Sequence, residues 1–308
     1  MNRGTIIKVE HLRKTYGEVV AVDDISFEVY DGEIFGMVGP NGAGKTTTIE
    51  CIEGLKVADN GTIRVWDLDP QRDRYKLKER IGVQLQESAL PDRIKVGEAI
   101  DLFASFYRKP LNRKEQAQLL EFLGLAEKLN SHFAKLSGGQ KKRLFIALAL
   151  VNNPQLIFLD ELTTGLDPHA RRAMWEMVRD IREKGKTVFL TTHYMEEAER
   201  LCDRVLIIDY GKIIALDTPE KLIQSLSVEN RVTFVAEGEF TLELLQALPN
   251  VTQVKKVGER IIVYGKGDRF MSSVVNALEA QRVRFRDLRT EQPTLEDVFL
   301  TLTHREYA

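Results

Sequence analysis

Cysteine is scarce in this sequence of 308 residues. Only Cys51 and Cys202 are present, and two cysteines build neither a disulfide framework nor a cysteine-rich metal site. They fit a reducing cytoplasm, where a buried cysteine behaves as a small hydrophobic residue. The cysteine content therefore excludes a fold that depends on several disulfide bonds.

Long hydrophobic runs are also missing. The longest is Leu144–Val151, whereas a membrane-spanning helix needs about 20 apolar residues. The N-terminal segment MNRGTIIKVEHLRK is charged and lacks the apolar core of a signal peptide. We therefore expect a chain that does not cross a bilayer and that reaches a membrane only through a partner.

Neither sign of charge dominates the sequence. Lys and Arg number 44 against 46 Asp and Glu, which gives a formal net charge of −2. A protein that coats nucleic acid carries a strong basic excess, so we expect no nucleic-acid partner. The composition, 43% hydrophobic and 29% charged, is typical of a globular chain, and the length fits two domains.

The first two-thirds of the chain predicts an α/β sheet, because short apolar runs alternate with longer amphipathic ones. Strands are predicted at Ile34–Gly39, Thr62–Asp67, Ile81–Gln86, Leu156–Asp160, Lys186–His193 and Arg204–Asp209. Helices are predicted at Gly44–Leu55, Pro168–Lys184, Met195–Cys202 and Pro219–Leu226. A mostly helical insert, about residues 87–153, interrupts the sheet.

The C-terminal part has a different rhythm. Its predicted order is strand 231–236, helix 241–247, strand 251–257, strand 261–265, helix 270–280 and strand 283–288, followed by a helix at Leu295–Thr303. This β-α-β-β-α-β order is that of the ferredoxin-like split motif. We therefore predict an α/β domain over residues 1–226 and a small α+β domain over residues 231–308.

A glycine-rich loop joins the first predicted strand to the helix after it. Residues 39–46 read Gly-Pro-Asn-Gly-Ala-Gly-Lys-Thr, which fits the pattern G-x-x-x-x-G-K-[ST]. Glycines let backbone N–H groups turn inward around phosphate oxygens, and the helix N-terminus adds positive potential. Lys45 then reaches the β- and γ-phosphates, and the Thr46 hydroxyl suits Mg²⁺. The alternative is a glycine-rich turn that merely joins strand to helix.

Two carboxylates, Asp160 and Glu161, follow the apolar run Leu-Ile-Phe-Leu. Strand ends in a parallel sheet face the ligand crevice, so both side chains can point at a bound nucleotide. Asp160 suits the water shell of Mg²⁺, because hard cations take oxygen ligands. Glu161 suits a general base for the water that attacks the γ-phosphate. A charged strand end at the surface is the alternative interpretation.

The segment Leu136-Ser-Gly-Gly-Gln140 separates families of phosphate-loop proteins. Ser137 and two glycines open a helix and offer a hydroxyl and free N–H groups to an anion. For Ser-Gly-Gly alone, an ordinary serine-capped helix is the simpler interpretation. Leu-Ser-Gly-Gly-Gln shortly before a carboxylate strand resembles the signature of the ATP-binding cassette (ABC) family. The resemblance covers about residues 5–225.

Further segments resemble this family in the family's order. Tyr16 matches the aromatic ring that stacks on adenine, with an ordinary strand-edge tyrosine as the alternative. Gln86 lies where the family has its glutamine loop, which senses the γ-phosphate and Mg²⁺, and Gln84 is the neighbouring alternative. The loop from Gly165 to Asp167 matches the one that crosses to the opposite subunit. His193 matches the switch histidine that contacts the γ-phosphate.

The resemblance implies ATP and Mg²⁺ as ligands and assigns the site residues. The implied catalytic residues are Glu161, His193 and Gln86. The implied Mg²⁺ ligands are Thr46, Gln86 and, through water, Asp160. The implied nucleotide-binding residues are Tyr16, Gly39, Pro40, Asn41, Gly42, Ala43, Gly44, Lys45, Thr46 and Thr47. The residues implied to meet a second subunit are Ser137, Gly138, Gly139 and Gln140, with Gly165, Leu166 and Asp167 in the crossing loop.

Two positions depart from the family pattern. Leu162 stands where the family usually has proline, which frees the φ angle and restores a backbone N–H, so the geometry of the crossing loop is left open. Leu148 stands where the signature helix usually carries arginine, which affects packing or a contact and no phosphate-binding group. The remaining histidines lack metal-ligand spacing: His11, His132, His169 and His304.

The resemblance implies a transport ATPase. Since the chain carries one phosphate loop and one signature, each ATP is expected between two head-to-tail cassettes, in a homodimer or with a homologous partner. ATP binding closes this dimer and hydrolysis releases it, which drives a separate membrane permease. The segment Glu87–Arg108 matches the groove that receives a cytoplasmic helix of the permease. We expect Phe103, Phe106 and Tyr107 there on one helix, with core of the helical subdomain as the alternative.

The tail Gln292–Thr303 (QPTLEDVFLTLT) resembles ATPases of multidrug, antibiotic and bacteriocin export that pair with ABC-2 type permeases. We therefore expect a cytoplasmic export ATPase, peripheral on the inner face of the cell membrane. Two alternatives stay open: a cassette ATPase that acts on a soluble macromolecular complex, and an unrelated phosphate-loop kinase or GTPase. No residue specifies the transported substrate.

Overall fold

The structure of the chain is a computed structural model that describes residues 4–84, 90–225, 230–237, 241–267 and 269–303. Gln86 and His304 therefore lie outside the described residues. The chain divides into two compact units, Met1–Pro219 and Glu220–Ala308.

The first unit combines strands and helices throughout its length. Its described strands are β1 (Thr5–Tyr16), β2 (Val19–Tyr30), β3 (Ile34–Val38), β4 (Asn60–Val65), β5 (Ile81–Gln84), β6 (Leu156–Asp160), β7 (Thr187–Thr192), β8 (Arg204–Asp209) and β9 (Lys212–Asp217). Its described α-helices are α1 (Lys45–Ile52), α2 (Arg74–Lys78), α3 (Val96–Ala104), α4 (Arg113–Phe122), α5 (Gly138–Leu150), α6 (Pro168–Glu183) and α7 (Met195–Leu201). Helix α8 (Pro219–Ser225) begins at Pro219, the last residue of the first unit.

A six-stranded sheet forms the centre of this unit, in the order β5-β6-β7-β3-β8-β9. All its neighbouring strands are parallel except the last pair, in which β9 runs antiparallel to β8. Strands β3, β6 and β7 are buried along their whole length, as expected for parallel strands covered on both faces. The helical insert lies between β5 and β6, which are neighbours in the sheet. The predicted α/β class with a helical insert is confirmed.

A second, antiparallel sheet has the order β2-β1-β4. Aromatic rings join it to the central sheet: Phe27 of β2 stacks on Phe35 of β3 with 5.6 Å between ring centroids. Phe189 of β7 lies 5.2 Å from Phe35 and 5.5 Å from Phe158 of β6. These rings are fully buried or nearly so. The packed rings fix β3, and with it the loop that follows β3.

The second unit is a small α+β domain. Its described elements are β10 (Asn230–Glu237), α9 (Glu243–Gln246), β11 (Val251–Val257), β12 (Arg260–Gly265), α10 (Phe270–Ala280), β13 (Arg284–Glu291) and α11 (Leu295–Thr303). The sheet order is β11-β12-β10-β13, and every pair is antiparallel. This is the ferredoxin-like arrangement that the sequence predicts. One sheet face packs Val232, Phe234, Ile261 and Val263 against α10.

The first helix of the insert, α3, is shorter than predicted. Phe103 lies on α3, but the helix stops at Ala104, so Phe106 and Tyr107 do not continue it. The Ser105 hydroxyl donates to Leu102 O at 2.6 Å, and the next two N–H groups bond three residues back. Such tight turns replace the helical pattern. The prediction of one helix for the aromatic trio is therefore wrong.

Within the described ranges, no helix is both long enough and apolar enough to cross a bilayer.

Candidate functional site

The glycine-rich loop joins the buried strand β3 to helix α1. Gly42 and Gly44 have φ angles of 82° and 106°, which residues with a side chain rarely adopt. A Cβ atom on Gly44 would lie 2.4 Å from Ala21 O, and one on Gly39 would lie 2.2 Å from Ile208 O. The loop thus needs glycine for both conformation and space, and the N-terminus of α1 opens onto it.

Lys45, the first residue of α1, is nearly fully buried. Its ammonium group donates hydrogen bonds to Gly39 O at 2.8 Å and to Pro40 O at 3.0 Å, and it lies 3.7 Å from Glu161 Oε1. Burial lowers the pKa of Lys45, while the charges of Glu161 and Asp160 oppose that shift. A buried cation held by loop carbonyls is placed to meet phosphate oxygens at the loop.

Asp160 ends strand β6 and is buried. Its Oδ2 accepts a hydrogen bond from the Thr46 hydroxyl at 3.3 Å, and its Oδ1 accepts one from the Thr191 hydroxyl. Burial raises the pKa of Asp160 even though both hydroxyl bonds favour the carboxylate. A carboxylate at the end of β6 and a hydroxyl in the first turn of α1 thus contact each other, and both are oxygen donors of the kind that suits a hard cation.

Glu161 adopts a left-handed backbone conformation with φ of 47°. Its N–H donates to Thr191 O at 3.1 Å and to the Thr191 hydroxyl at 3.2 Å, which holds this unusual conformation. Its Oε2 accepts from the Thr164 hydroxyl at 3.3 Å and lies 3.4 Å from His193 Nδ1. Glu161 follows β6 and His193 follows β7, so two neighbouring strand ends bring the pair together.

A pocket of about 440 Å³ opens over the loop. Tyr16, at the end of β1, forms one wall and is 42% exposed, and Lys56 Nζ lies 4.8 Å from the centroid of its ring. The pocket is lined by Tyr16, Ala21, Asn41, Gly42, Gly44, Lys45, Thr46, Thr47 and Glu161. An aromatic surface, a phosphate loop and a carboxylate therefore share one cavity, which suits a purine nucleotide with its phosphates.

Two further helix starts carry polar caps. The Ser137 hydroxyl accepts from Gln140 N at 3.3 Å, and Gln140 Oε1 accepts from Ser137 N at 3.0 Å, which is a capping box at the start of α5. The Asp167 carboxylate accepts from Ala170 N at 2.9 Å at the start of α6, and this bond lowers the pKa of Asp167. Gly165 lies just before it with φ of 78°.

A second concave surface, the insert groove, has a volume of about 810 Å³. The groove lies between the end of α1, strand β5 and the aromatic residues at the end of α3. Its apolar wall includes Leu55, Ile81, Val83, Phe103, Phe106 and Leu148, and polar side chains at its edge include Lys76, Lys78, Glu79 and Arg108. Phe106 is 66% exposed. It is therefore not part of a buried core.

Comparison with known proteins identifies the family. The family model described as "ABC transporter" matches residues 22–164. A Nod factor export ATP-binding protein I of Ralstonia nicotianae is 38% identical over 304 residues, which covers 98% of this chain and 94% of the relative. The protein of the same name from Rhizobium etli is 40% identical over 309 residues, with the same coverage. This chain belongs to the ABC transporter family. It is an ATP-binding, ATP-hydrolysing subunit of an ABC transporter.

Solved ABC structures show the same fold. An ATP-binding subunit of an ABC transporter superimposes with a TM-score of 0.65 at 29% identity, covering 72% of this chain and 93% of that structure. An ATP-binding cassette of an ABC transporter in its ADP conformation gives a TM-score of 0.64 at 28% identity, covering 71% and 92%. The ABC fold and the binding of adenine nucleotides therefore follow from close relatives as well as from the geometry.

The structure of this ABC subunit brings most of the expected site residues together. Tyr16, the phosphate loop and Glu161 line one pocket, and Asp160 and His193 contact members of that lining. Within the part of the chain that the structure describes, the signature residues Ser137 to Gln140 do not line this pocket. The role expected of Gln86 falls outside the described residues.

Two residues near the carboxylates Asp160 and Glu161 were not predicted from the sequence. Thr191 bonds to the side chain of Asp160 and to the backbone of Glu161. Lys142 of α5 is half-buried, and burial lowers its pKa while Glu161 and Asp160 oppose that shift. Thr191 lies two residues before His193, and alternate residues of a strand share a face. The sequence could therefore have predicted that Thr191 lies on the same side of β7 as His193. No signal in the sequence placed Lys142 near the carboxylates, since only the folded insert does so.

The two departures from the ABC pattern also have positions in the structure. Leu162 is 4% exposed, so its side chain is packed inside the fold. The loop after it turns through the bonds Thr164 N to Glu161 O, at 3.2 Å, and Leu166 N to Thr163 O, also at 3.2 Å. Leu148 is buried at the wall of the insert groove. Its position bears on that groove rather than on the phosphate loop.

Proposed function

We propose that ATP is hydrolysed in the pocket formed by Tyr16, the phosphate loop and Glu161. Tyr16 stacks on adenine, and Lys45 with the loop N–H groups holds the β- and γ-phosphates. Glu161 takes the proton of the attacking water, and His193 contacts the γ-phosphate. The observation that carries this proposal is the position of the Glu161 carboxylate, 3.7 Å from Lys45 Nζ and 3.4 Å from His193 Nδ1. A base between a phosphate-binding cation and an imidazole is placed for in-line hydrolysis.

We propose Mg²⁺ as the metal of this site. The Thr46 hydroxyl and the Asp160 carboxylate, 3.3 Å apart, are hard oxygen donors that fit a divalent cation, directly and through water. Bound Mg²⁺ supplies charge neutralisation to the phosphate oxygens. No cluster of three or more His, Cys, Asp or Glu suited to a metal occurs among the residues that the structure describes. Gln86 stays a predicted additional ligand.

We propose that a second copy of the chain completes each site. The N-terminus of α5, capped by Ser137, offers a hydroxyl and backbone N–H groups to an anion, yet within the described ranges it does not line the pocket of its own chain. A head-to-tail pair brings the Ser137–Gln140 segment of one chain to the γ-phosphate held by the other. The loop Gly165-Leu166-Asp167 then crosses between subunits.

We propose that the work of this ATPase is export through a permease of the ABC-2 type. The relatives are named as export proteins for Nod factor, and the C-terminal unit with the tail Gln292–Thr303 resembles export ATPases. The insert groove, with the exposed Phe106 on its apolar wall, is the proposed docking site of a cytoplasmic segment of the permease. The subunit then acts at the inner face of the membrane, where ATP is available.

The variant Glu161→Gln tests the catalytic proposal. We expect ATP binding to persist and turnover to fall by about 10²- to 10⁴-fold, because the amide cannot accept the proton. With Mg-ATP, size-exclusion chromatography of this variant is expected to show a dimer, since hydrolysis no longer releases the closed pair. The control Glu183→Gln, an exposed position near the end of α6, is expected to turn over normally. Near-normal turnover of Glu161→Gln would remove the base role.

A further inference from the structure

Glu53 is the most unusual buried group outside the catalytic pocket. It follows the last residue of α1, the helix that begins with Lys45. The residue lines the insert groove and is only 2% exposed. Both of its carboxylate oxygens are buried, and neither has a hydrogen-bond partner among the residues that the structure describes. Buried polar groups in proteins nearly always have partners, because an unsatisfied one costs the full desolvation penalty.

The chain itself supplies no counter-ion for this carboxyl among the described residues. Lys78 is the cation whose charge favours ionised Glu53, but Lys78 is exposed and forms no ion pair with it. Asp160 and Glu50 act in the opposite direction. Burial and these two acids therefore raise the pKa of Glu53 well above its ordinary value. Among the described residues, the cations that line the groove, Lys76, Lys78 and Arg108, form no hydrogen bond with the Glu53 carboxyl.

The apolar wall of the groove indicates which other side chains a partner segment needs. Phe103 and Phe106 pack with ring centroids 5.6 Å apart, and Phe106 is two-thirds exposed beside the buried Leu148. Exposed aromatic side chains on a concave apolar surface are typical of protein contacts. A segment that fits this groove needs apolar side chains against the rings and one hydrogen-bond donor that reaches Glu53.

We propose that Glu53 is the acceptor for one lysine or arginine side chain on an apolar cytoplasmic segment of the permease, and that this pair selects the permease; the inference rests on the proposed function. A cation supplies both the hydrogen bond and the opposite charge that the buried carboxylate lacks. Since an α-helix rises about 1.5 Å per residue, the backbone of Glu53 lies about 12 Å along the axis of α1 from that of Lys45. Docking and nucleotide binding thus share one rigid element.

The test begins with the permease that the tagged wild-type chain retains from membranes of the source cells. The permease is identified by mass spectrometry and purified into lipid nanodiscs, and its affinity is measured for wild type, Glu53→Gln, Glu53→Lys and the control Glu50→Gln. Glu50 lies on the same helix but pairs with Lys56 at 3.0 Å outside the groove. We expect affinity to fall about 10-fold for Glu53→Gln, more than 100-fold for Glu53→Lys, and less than 2-fold for Glu50→Gln.

A charge exchange then identifies the partner side chain. Each lysine and arginine in the cytoplasmic loops of the permease is changed to glutamate, and one of these changes is expected to abolish binding to wild type and to be rescued by Glu53→Lys. Unaltered ATP affinity and a cooperative thermal unfolding transition of the Glu53 variants exclude misfolding as the cause. If wild type retains its permease but every Glu53 variant binds it equally well, or no exchange restores binding, the inference is wrong and the proposed function stands. If wild type retains no permease, both fail.

Discussion

At the scale of single residues, burial shifts several ionisable groups, and their partners distinguish their roles. Burial lowers the pKa of Lys45 and raises that of Asp160, but both have hydrogen-bond partners in place around the phosphate loop. Burial also shifts the pKa of Glu53, which has no hydrogen-bond partner within the described part of the chain. The first two are prepared for a bound nucleotide, whereas the third raises the free energy of the folded chain on its own.

The cost of Glu53 predicts an unusual gain of stability. Replacing it by methionine, of similar length, removes an unsatisfied buried polar group, so Glu53→Met is expected to raise the free energy of unfolding by about 1 to 3 kcal/mol near neutral pH. The measurement is urea unfolding of the purified chain at constant pH. The exposed Glu183→Met serves as control and is expected to change stability by less than about 0.5 kcal/mol.

The same carboxyl predicts how that gain depends on pH. Burial raises the pKa of Glu53 in the folded chain above the value of 4.5 that applies when it is exposed. Above pH 4.5 the unfolded chain loses this proton while the folded chain retains it, so wild type loses stability as pH rises toward the folded pKa. The advantage of Glu53→Met is therefore expected to grow as the pH rises above 4.5 toward the folded pKa of Glu53. A constant or shrinking difference over this range would contradict the assigned burial of the carboxyl.

At the scale of elements, two glycines at helix starts differ in what they tolerate. A Cβ on Gly44 would meet Ala21 O at 2.4 Å in a backbone with φ of 106°, whereas a Cβ on Gly138 meets nothing within 4 Å. Gly44→Ala is expected to distort the phosphate loop and weaken ATP binding to the isolated chain more than about 100-fold, measured with a fluorescent ATP analogue. Gly138→Ala is expected to leave that binding unchanged. Equal losses for both would show that the contact at Gly44 is not decisive.

Short motifs located these elements because they require particular backbone geometry. Gly44 and Lys45 were placed correctly, since a phosphate loop needs left-handed glycines between a strand and a helix. The end of α3 was predicted incorrectly, because the apolar pattern through Phe106 matches a longer helix. The hydrogen bond of the Ser105 hydroxyl, which accompanies the end of the helix, has no distinct signal in the sequence. Strand β9 was missed because it is half-exposed at the sheet edge. Its short run lacks the burial that marks the central strands.

At the scale of the whole molecule, the contacts that could not be predicted are those between side chains far apart in the sequence. The β-α-β-β-α-β order predicts the sheet of the second unit, because few antiparallel orders connect those elements without crossing. The contact of Thr191 with Asp160 depends instead on the register of β7 beside β6. Lys142 approaches the same carboxylates only because the insert folds back beside the sheet. Contacts between side chains that are about 30 residues apart, or that are separated by an insert, can be identified only from the folded structure.

The proposed pair of chains predicts complementation between two inactive variants. Lys45→Ala removes the phosphate-binding cation, and Ser137→Arg blocks the signature with a bulky side chain, so each homodimer has two defective sites. A mixed dimer has one site that joins the intact Lys45 of one chain to the intact Ser137 of the other. In an equal mixture half of the dimers are mixed and half of their sites are intact, which predicts about a quarter of wild-type ATPase activity. Each variant alone is expected to retain less than about 1% of that activity.

Three outcomes of this mixing experiment discriminate between arrangements of the site. Recovery that rises with the fraction of mixed dimers, measured as phosphate release over a series of mixing ratios, requires that one ATP contact both chains. Mixtures no more active than their components contradict sharing of the site, provided that size-exclusion chromatography shows the chains exchange. A Ser137→Arg chain that remains active by itself would mean that the loop containing Lys45 hydrolyses ATP without the signature. The pairing would then serve the permease rather than the chemistry.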